Sequence, residues 1–519
     1  MSAVRRTFCS VAAVLAFTVA IFAGSAAPQA GIQGLDSFVD SVMKEWKIPG
    51  LAVAAIKDGQ VVVAKGYGYR DAEAKLPVTS RTLFAIGSNT KSFTVSVMGM
   101  LNDEGKVDWD KPVREYLPDF RLYDPVATEQ MTPRDLTCHR SGLPRHDLLW
   151  LATGLTRKDL YDRLRYLQPN KPFRSTYQYQ NLMFMTAGLL EEKITGTKWE
   201  DLVRGRILQP LGMQRSNFSI SEMQKDSDFS YPYGEIDKKV MRIPFRNIDQ
   251  IGPAGSINSS VEEMIRYVQF HISLGKQGDK QLLSDKNARL METPQMVQPA
   301  PSTEYPELGP ASYGLGLMIT TYRGHRFVLH GGGIDGFISQ MAWLPDDKAG
   351  LVVLSNFSGT NPVPDLVARY VADRLLGLEP IDWTSRTREQ QQKAEKRGEE
   401  ARKKAASERK TGTSPSHPLS DYAGVYEHPA YGKAEIRASG SGLQMRIVGF
   451  DIPLEHFHYD IFAAPENLPG ILGQFSGKRV TFLYNKKGEI DRAALPLESA
   501  VEDIVFTRVV DKQAPPPRE

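Results

Sequence analysis

The stretch 384–415 contains no large apolar side chain, and this limits how the chain can fold more than any other feature. Such a segment cannot bury a core. The 519 residues are also too many for one ordinary core. We therefore predict two folded domains, at 32–380 and 417–510, with 384–415 as a charged, partly helical linker. A basic binding arm is the alternative for 384–415, although acidic residues are interspersed among the basic ones.

The N-terminus has the pattern of a targeting segment. Arg5 and Arg6 precede the apolar run 11–24, and small residues near Ala26 and Ala27 offer a cleavage site. We predict a signal peptide at 1–27 and an exported protein, periplasmic or secreted. The run is short for a membrane span and no second one follows, so we expect no span in the mature chain. An uncleaved anchor is the alternative.

Composition and cysteine content exclude several classes of partner and cofactor. The formal net charge of +3 is too balanced to predict a nucleic-acid partner. Removal of Cys9 with the signal peptide leaves Cys138 alone, so no internal disulfide is expected and Cys138 is predicted to be a buried, inert thiol. His456 and His458 lie two apart, but a zinc site needs further ligands, and none is obvious. We predict no metal and no cofactor.

Hydrophobic periodicity predicts an α+β domain in 32–380. Apolar residues in 35–46 follow helical spacing, and Asp58-Gly59 separates two β runs as a hairpin turn would. The segment 313–356 is typical of successive antiparallel strands, and 362–377 of a closing helix. We predict an antiparallel sheet flanked by helices and built from both ends of the domain. From 417 to 510, short strands separated by turn residues predict a small all-β barrel.

The segment 82–101, TLFAIGSNTKSFTVSVMGML, raises the question of function. Ser88 lies three residues before Lys91 at the start of a predicted helix that Gly105 closes. The same Ser-x-x-Lys spacing begins at Ser41, Ser273 and Ser407, so the pattern alone is weak. A serine at a helix start is also an ordinary N-cap. However, a serine nucleophile needs a base, and a lysine in an apolar element is costly unless its pKa falls.

Two further motifs follow in the chain. Tyr179-Gln180-Asn181 is its one Tyr-x-Asn, and His330-Gly331-Gly332 its one His-x-Gly. A phenol beside a lysine can relay the serine proton, and an asparagine can offer its amide to a substrate carbonyl. Glycines after a strand leave the backbone open to close approach by a ligand. Taken singly, each motif also fits an ordinary loop or hairpin.

Together, in this order, the three motifs resemble those of the penicillin-recognising serine hydrolases. The similarity covers about 34–380 and is greatest to the class C β-lactamase-like branch, with its D-aminopeptidases, D-Ala-D-Ala carboxypeptidases and esterases. The phrases SGLPRHD and HGGGIDGF support it. Residues 417–510 resemble the small lipocalin-like domain appended to some of these enzymes.

The resemblance implies acyl transfer through a covalent acyl-enzyme on Ser88. It implies that Lys91 and Tyr179 share the general base and acid roles, a division that is disputed for such enzymes. Asn181, His330, Gly331 and Gly332 would bind substrate. Backbone N–H groups of Ser88 and Gly333 would form the oxyanion hole.

One position departs from the family pattern. His330 stands where many members carry a lysine that attracts a substrate carboxylate. An unperturbed imidazole is mostly neutral near pH 7 and charged below about pH 6.5. We therefore expect a peptidase, amidase or esterase acting on a small-molecule or short-peptide substrate. The alternatives are a β-lactamase or D-Ala-D-Ala carboxypeptidase and, in another class, a non-catalytic sensor or scaffold.

Overall fold

The computed structural model describes residues 31–151, 154–236, 238–299 and 305–509. The predicted signal peptide at 1–27 lies outside these residues. Within them, no helix combines the length and the apolar character that a membrane crossing requires. The division into folding units at 380 and 417 stays a prediction.

The first part of the chain contains helices and strands in a mixed order. Its strands are β1 (Gly50–Lys57), β2 (Gln60–Asp71), β3 (Leu76–Pro77), β4 (Phe84–Ala85), β5 (Tyr233–Ile236), β6 (Lys239–Arg242), β7 (Asn258–Ser259), β8 (Lys276–Gln277), β9 (Lys280–Gln281), β10 (Met296–Val297), β11 (Ser312–Tyr313), β12 (Met318–Tyr322), β13 (His325–Ile334), β14 (Phe337–Leu344), β15 (Ala349–Ser355) and β16 (Phe357–Ser358). Its helices are α1 (Leu35–Glu45), α2 (Thr90–Asp103), α3 (Pro125–Gln130), α4 (Pro133–Thr137), α5 (Arg157–Arg163), α6 (Asn181–Thr195), α7 (Trp199–Val203), α8 (Ile220–Met223), α9 (Gly252–Gly255), α10 (Val261–Ile272), α11 (Asp285–Met291) and α12 (Val363–Leu375).

The main sheet joins the two ends of this region. Its nine strands run in the order β10-β11-β12-β13-β14-β15-β1-β2-β3, and β1 pairs with β15 from Leu51 opposite Ser355 to Lys57 opposite Ala349. The β1–β2 turn has positive φ at Asp58 (49°) and Gly59 (78°), as a two-residue hairpin requires. All neighbouring pairs in the sheet are antiparallel, which confirms the predicted sheet.

Helices cover both faces of this sheet. Side chains along β1 alternate between two buried clusters: Ala52 belongs to one and Val53 to the other. The first cluster includes α2 and α10, and the second includes α1 and α12. Because both faces are covered, β1 is buried along nearly its whole length. The α+β prediction is confirmed.

A long polar helix follows, and then the barrel. α13 (Trp383–Ser407) crosses most of the predicted linker, and Trp383 is its one buried residue. After α14 (Leu419–Tyr422), the chain forms a closed barrel of eight strands, β17 (Gly424–His428), β18 (Gly432–Ser439), β19 (Gly442–Ile447), β20 (Phe450–His458), β21 (Ile461–Ala463), β22 (Arg479–Tyr484), β23 (Ile490–Leu495) and β24 (Ile504–Arg508). The predicted C-terminal barrel is confirmed.

The start of α13 is anchored to the first domain by one aromatic side chain. Trp383 is 3% exposed, its indole N–H donates to the Tyr322 hydroxyl at 3.0 Å, and its ring packs edge-on against Tyr305. Further along, α13 is mostly exposed. Its position therefore depends on this first turn and on scattered polar contacts.

We expect Trp383→Ala to lower the free energy of unfolding by about 3–5 kcal/mol, because it empties a packed site and leaves a hydroxyl without its donor. Lys396→Ala, at an exposed position of the same helix, is the control and should change it by less than about 0.5 kcal/mol. Urea denaturation measures both. Equal effects would show that the first turn does not anchor α13.

Candidate active site

The segment that carries Ser88 is a tight turn packed against the main sheet. Residues Gly87–Asn89 form a 3₁₀ turn, and α2 begins only at Thr90, so Ser88 lies in the turn before the predicted helix. Gly87 has φ of +52°, and a Cβ there would lie 2.8 Å from the backbone nitrogen of Gly333. Glycine is therefore needed for the turn to approach β13.

Two contacts hold this turn against the sheet. The buried Asn89 amide donates to Ser339 Oγ on β14 at 2.7 Å, and Ser339 donates to the Ile86 carbonyl at 2.8 Å. A Cβ on Gly332 would lie 2.0 Å from that same carbonyl. Gly332 thus allows the protein's own backbone to approach closely, whereas the sequence predicted that this glycine allows a ligand to approach.

Lys91 is completely buried directly behind Ser88. Its Nζ donates to Ser88 Oγ at 3.1 Å, to Asn181 Oδ1 at 2.8 Å and to the Ala254 carbonyl at 2.7 Å, all neutral acceptors. Burial, with a smaller effect from the Arg145 charge, lowers the pKa of Lys91 well below its usual value, while Asp147 opposes this shift. The Lys91 side chain can therefore lose its proton far more readily than a lysine in water.

Tyr179 lies between Lys91 and the solvent-facing Arg145. Its ring centroid is 4.8 Å from Lys91 Nζ and also 4.8 Å from the Arg145 guanidinium carbon. Burial raises the pKa of the Tyr179 phenol, against smaller opposing effects from Ser88 and Arg145. The phenol is thus neutral near pH 7 and can donate a proton, whereas Lys91 is the better proton acceptor.

Asn181, the first residue of α6, connects Lys91 to a carboxylate. Its Oδ1 accepts from Lys91, and its Nδ2 donates to Asp147 Oδ1 at 3.0 Å. An amide nitrogen carries two hydrogens, so the bond to Asp147 uses one of them. Asn181 therefore orients Lys91, besides the substrate contact predicted for it.

Arg145 and Asp147 belong to the site although motif analysis did not select them. Arg145 Nε donates to Asp147 Oδ2 at 2.6 Å, and both residues line the cavity beside Ser88. Asp147 Oδ1 also accepts from the Trp150 indole at 2.9 Å. Arg145 and Asp147 are the fifth and seventh residues of SGLPRHD, which carried part of the resemblance, so that phrase was the available signal.

His330 has different surroundings from those expected. It is 4% exposed, shares a 2.9 Å hydrogen bond through Nε2 with the Tyr313 hydroxyl, and contacts the Gly331 carbonyl through Nδ1. Burial and the nearby Lys91 lower its pKa to about 3. The expectation that His330 becomes charged below about pH 6.5 is therefore wrong, because the buried ring stays neutral.

A cavity of about 310 Å³ opens next to Ser88. Ser88, Asn181 and Gly333 line it. The other predicted site residues are not among its lining residues: Lys91, Tyr179, His330, Gly331 and Gly332. Among the described residues that line it, the charged ones are Arg145, Asp147 and Asp335, so acidic groups outnumber basic ones. Within the described ranges, no cluster of side chains is suited to hold a metal ion.

Cys138 is the free cysteine among the described residues. It is buried, and burial raises the pKa of its thiol to about 12. An un-ionised thiol is a poor nucleophile. The predicted burial of Cys138 is confirmed, and its raised pKa favours the predicted inert thiol.

Solved structures share this architecture. The octameric penicillin-binding protein homologue from Pyrococcus abyssi is 26% identical, with a TM-score of 0.59, and the match covers 91% of this chain and 99% of that one. D-amino acid amidase from Ochrobactrum anthropi SV3 is 24% identical, with a TM-score of 0.54, over 66% of this chain and 97% of the amidase. The second likeness concerns the fold alone.

Sequence comparison identifies the family. An unguisins hydrolase from Aspergillus campestris is 31% identical over 424 residues, which cover 77% of this chain and 76% of the relative. Residues 408–508 match a domain of unknown function, DUF3471, and residues 35–376 match the Beta-lactamase family. The chain therefore belongs to the Beta-lactamase family and is a serine hydrolase related to the penicillin-binding proteins.

Proposed function

We propose that this protein is an exported hydrolase that forms an acyl-enzyme on Ser88 and cleaves amide or ester bonds of small substrates. The observation that carries the proposal is the 3.1 Å contact between Ser88 Oγ and the buried Lys91, whose pKa is lowered. A buried lysine beside a hydroxyl, with neutral hydrogen-bond acceptors around it, is suited to proton transfer. Export rests on the sequence of 1–27 alone.

The proposed reaction assigns one proton movement to each side chain. Neutral Lys91 accepts the Ser88 proton as Oγ attacks the substrate carbonyl carbon. The N–H groups of Ser88 and Gly333 stabilise the resulting oxyanion. Tyr179 donates its proton to the leaving nitrogen or oxygen and regains one from Lys91, and water then releases the acyl group by the reverse transfers.

The charges around the cavity favour neutral or amine-bearing substrates over carboxylates. Asp335, in the turn between β13 and β14, is partly exposed and pairs with Arg246 at 2.5 Å. Arg145 is likewise paired, with Asp147. His330 is buried, does not line the cavity and stays neutral, so it offers no positive charge to an anion. The proposal is therefore a peptidase or amidase acting near a free amino group, or an esterase, in preference to a β-lactamase.

The names of similar proteins support hydrolysis without naming a substrate for this chain. One relative is named as a hydrolase of unguisins and one solved neighbour as a D-amino acid amidase. Both act as hydrolases on their own substrates. A panel of p-nitrophenyl esters, amino-acid anilides and nitrocefin would separate esterase, amidase and β-lactamase activities.

Ser88→Ala should abolish labelling by a fluorophosphonate while leaving the fold intact. Ser273→Ala is the matched control, because Ser273 and Lys276 have the same spacing outside the cavity. Intact-protein and peptide mass spectrometry locate the adduct. An adduct that persists in Ser88→Ala, or that falls on Cys138, would sink the assignment; an unlabelled wild-type protein would favour the sensor alternative.

The pH dependence of kcat/KM should follow the Lys91 pKa, with activity lost as pH falls through it. Asp147→Asn removes a charge that raises this pKa, so the acid limb should move to lower pH. Arg145→Met removes a charge that lowers it, so the limb should move to higher pH. Rate profiles on a neutral ester measure both shifts. Shifts in the same direction would contradict Lys91 as the titrating base.

Asp335→Asn should reduce kcat/KM several-fold for a free-amine anilide and hardly change it for the N-acetylated analogue. Coulomb attraction at ~4 Å and an effective dielectric near 20 is about 4 kcal/mol, which the Arg246 pair reduces. Asp346→Asn, an exposed turn carboxylate after β14, is the control. Equal losses of kcat/KM for both substrates would show that Asp335 does not interact with the substrate amine.

A further inference from the structure

The barrel contacts the first domain at a position between two residues of the candidate active site. His146, buried, lies between Arg145 and Asp147 in the chain. Its backbone N–H donates to Glu498 Oε2 at 2.7 Å, and its Nδ1 shares a 2.9 Å hydrogen bond with the Tyr431 hydroxyl. Both partners belong to the barrel domain.

The backbone at His146 is in an unfavourable conformation. Its φ of 48° and ψ of 35° lie in the left-handed region, which is unfavourable for a residue other than glycine. The reversal begins the short 3₁₀ helix Asp147–Leu149 and lets Arg145 and Asp147 line the same cavity. Conformations of this kind persist where the surroundings hold them. Here the barrel supplies two of the hydrogen bonds to the strained residue.

A chain of hydrogen bonds leads from this contact to the nucleophile. Asp147 accepts from Asn181 at 3.0 Å, Asn181 accepts from Lys91 at 2.8 Å, and Lys91 donates to Ser88 at 3.1 Å. A shift of the Asp147 backbone therefore changes the group that orients Lys91. Catalytic geometry is sensitive to shifts of this size, since a displacement of about 1 Å can cost ~100-fold in rate.

Two other hydrogen bonds between the barrel and the first domain lie outside this chain. Arg163 donates to the Ala430 carbonyl at 2.7 Å, and Asn170 donates to the Ala500 carbonyl at 2.8 Å. Ala430 adjoins Tyr431, so the Arg163 contact holds the same barrel segment without touching 145–147. A substitution at Arg163 therefore weakens the contact between barrel and first domain without removing the hydrogen bonds to His146.

We propose that Glu498 and Tyr431 are positioning residues for the hydrolase site: the barrel holds His146 so that Asp147 can orient Asn181 and Lys91. This role for the barrel rests on the function proposed above. It assigns the C-terminal domain a part in acylation, beyond its attachment to the enzyme. Neither Glu498 nor Tyr431 touches the cavity beside Ser88.

The test compares four variants of the full chain on one neutral ester. Glu498→Ala should lower kcat by about 10- to 100-fold with little change in KM, because loop geometry matters most in the transition state. Glu498→Gln should recover much of the rate, since its amide oxygen can still accept from His146. Tyr431→Phe should lower kcat several-fold, and Arg163→Met should leave kcat and KM unchanged. If Glu498→Ala does not fold, Tyr431→Phe, which keeps its ring, carries the comparison.

A double variant distinguishes positioning from a general loss of stability. In an Asp147→Asn background, Glu498→Ala should cost much less than in wild type, since the residue it positions has already lost its charge. The proposal would be overturned if Glu498→Ala lowered kcat by the same factor in wild type and in the Asp147→Asn background. Equal losses of kcat in Glu498→Ala and Arg163→Met would also overturn it.

Fluorophosphonate labelling separates this inference from the proposed function. If Ser88 is labelled at the wild-type rate in every barrel variant, the positioning role is refuted and the proposed function still stands. Absence of Ser88 labelling in the wild-type protein would refute the proposed function itself. Slower labelling of Ser88 in Glu498→Ala and Tyr431→Phe, but not in Arg163→Met, would support both.

Discussion

The burial of one amine is the constraint on which the candidate site depends. An ammonium group removed from water is costly unless it is paired or loses its proton, and Lys91 contacts a hydroxyl, an amide oxygen and a backbone carbonyl. These acceptors satisfy its hydrogen bonds without neutralising a charge. The pKa of Lys91, next to Ser88, is therefore lowered, and burial raises the pKa of the nearby Tyr179 phenol. Lys91 and Tyr179 thus differ in acidity, as a general base and a general acid must.

Backbone packing explains why this arrangement is rigid. Gly87 and Gly332 let the turn before α2 lie directly against β13, where side chains would collide. Ser339 and Asn89 then fix the turn from the neighbouring strand. Ser88 is therefore carried on the central sheet, whose strands come from both ends of the domain. Sites supported by strands and helices in this way hold their geometry better than sites on loops.

The part of the cavity wall formed by Arg145 and Asp147 is held in place by contacts outside the main sheet. The strained residue His146 and its neighbours lie in a connection between helices, and two of the hydrogen bonds to His146 come from the barrel. Buried apolar side chains of the barrel and of the first domain also form one continuous cluster. The DUF3471 region thus packs against the first part of the chain near the cavity, and the mostly exposed helix α13 precedes it.

Local pattern predicted the large features because they depend on local chemistry. The alternation of apolar residues indicated the strands and Asp58-Gly59 the first hairpin. The polar stretch 384–415 indicated an exposed segment before the barrel, and most of it lies in α13. Three short motifs placed Ser88, Lys91, Tyr179 and Asn181 in one site before any contact was known, since their types and order carry the family resemblance. Periodicity and motif order are properties of neighbouring residues, so a sequence displays them directly.

Contacts between distant segments were decided only by the tertiary structure. His330 looked like a titratable histidine near a ligand, but its burial against Tyr313 and near Lys91 keeps it neutral. Gly332 serves the packing of Ile86, and Arg145 and Asp147 enter the site from a phrase whose chemistry is not apparent in the sequence. The pKa of a group and the neighbour that a glycine admits depend on which segments meet in space. The sequence alone therefore determined the fold class and the candidate reacting groups, and the fold determined the charge states and supports of these groups.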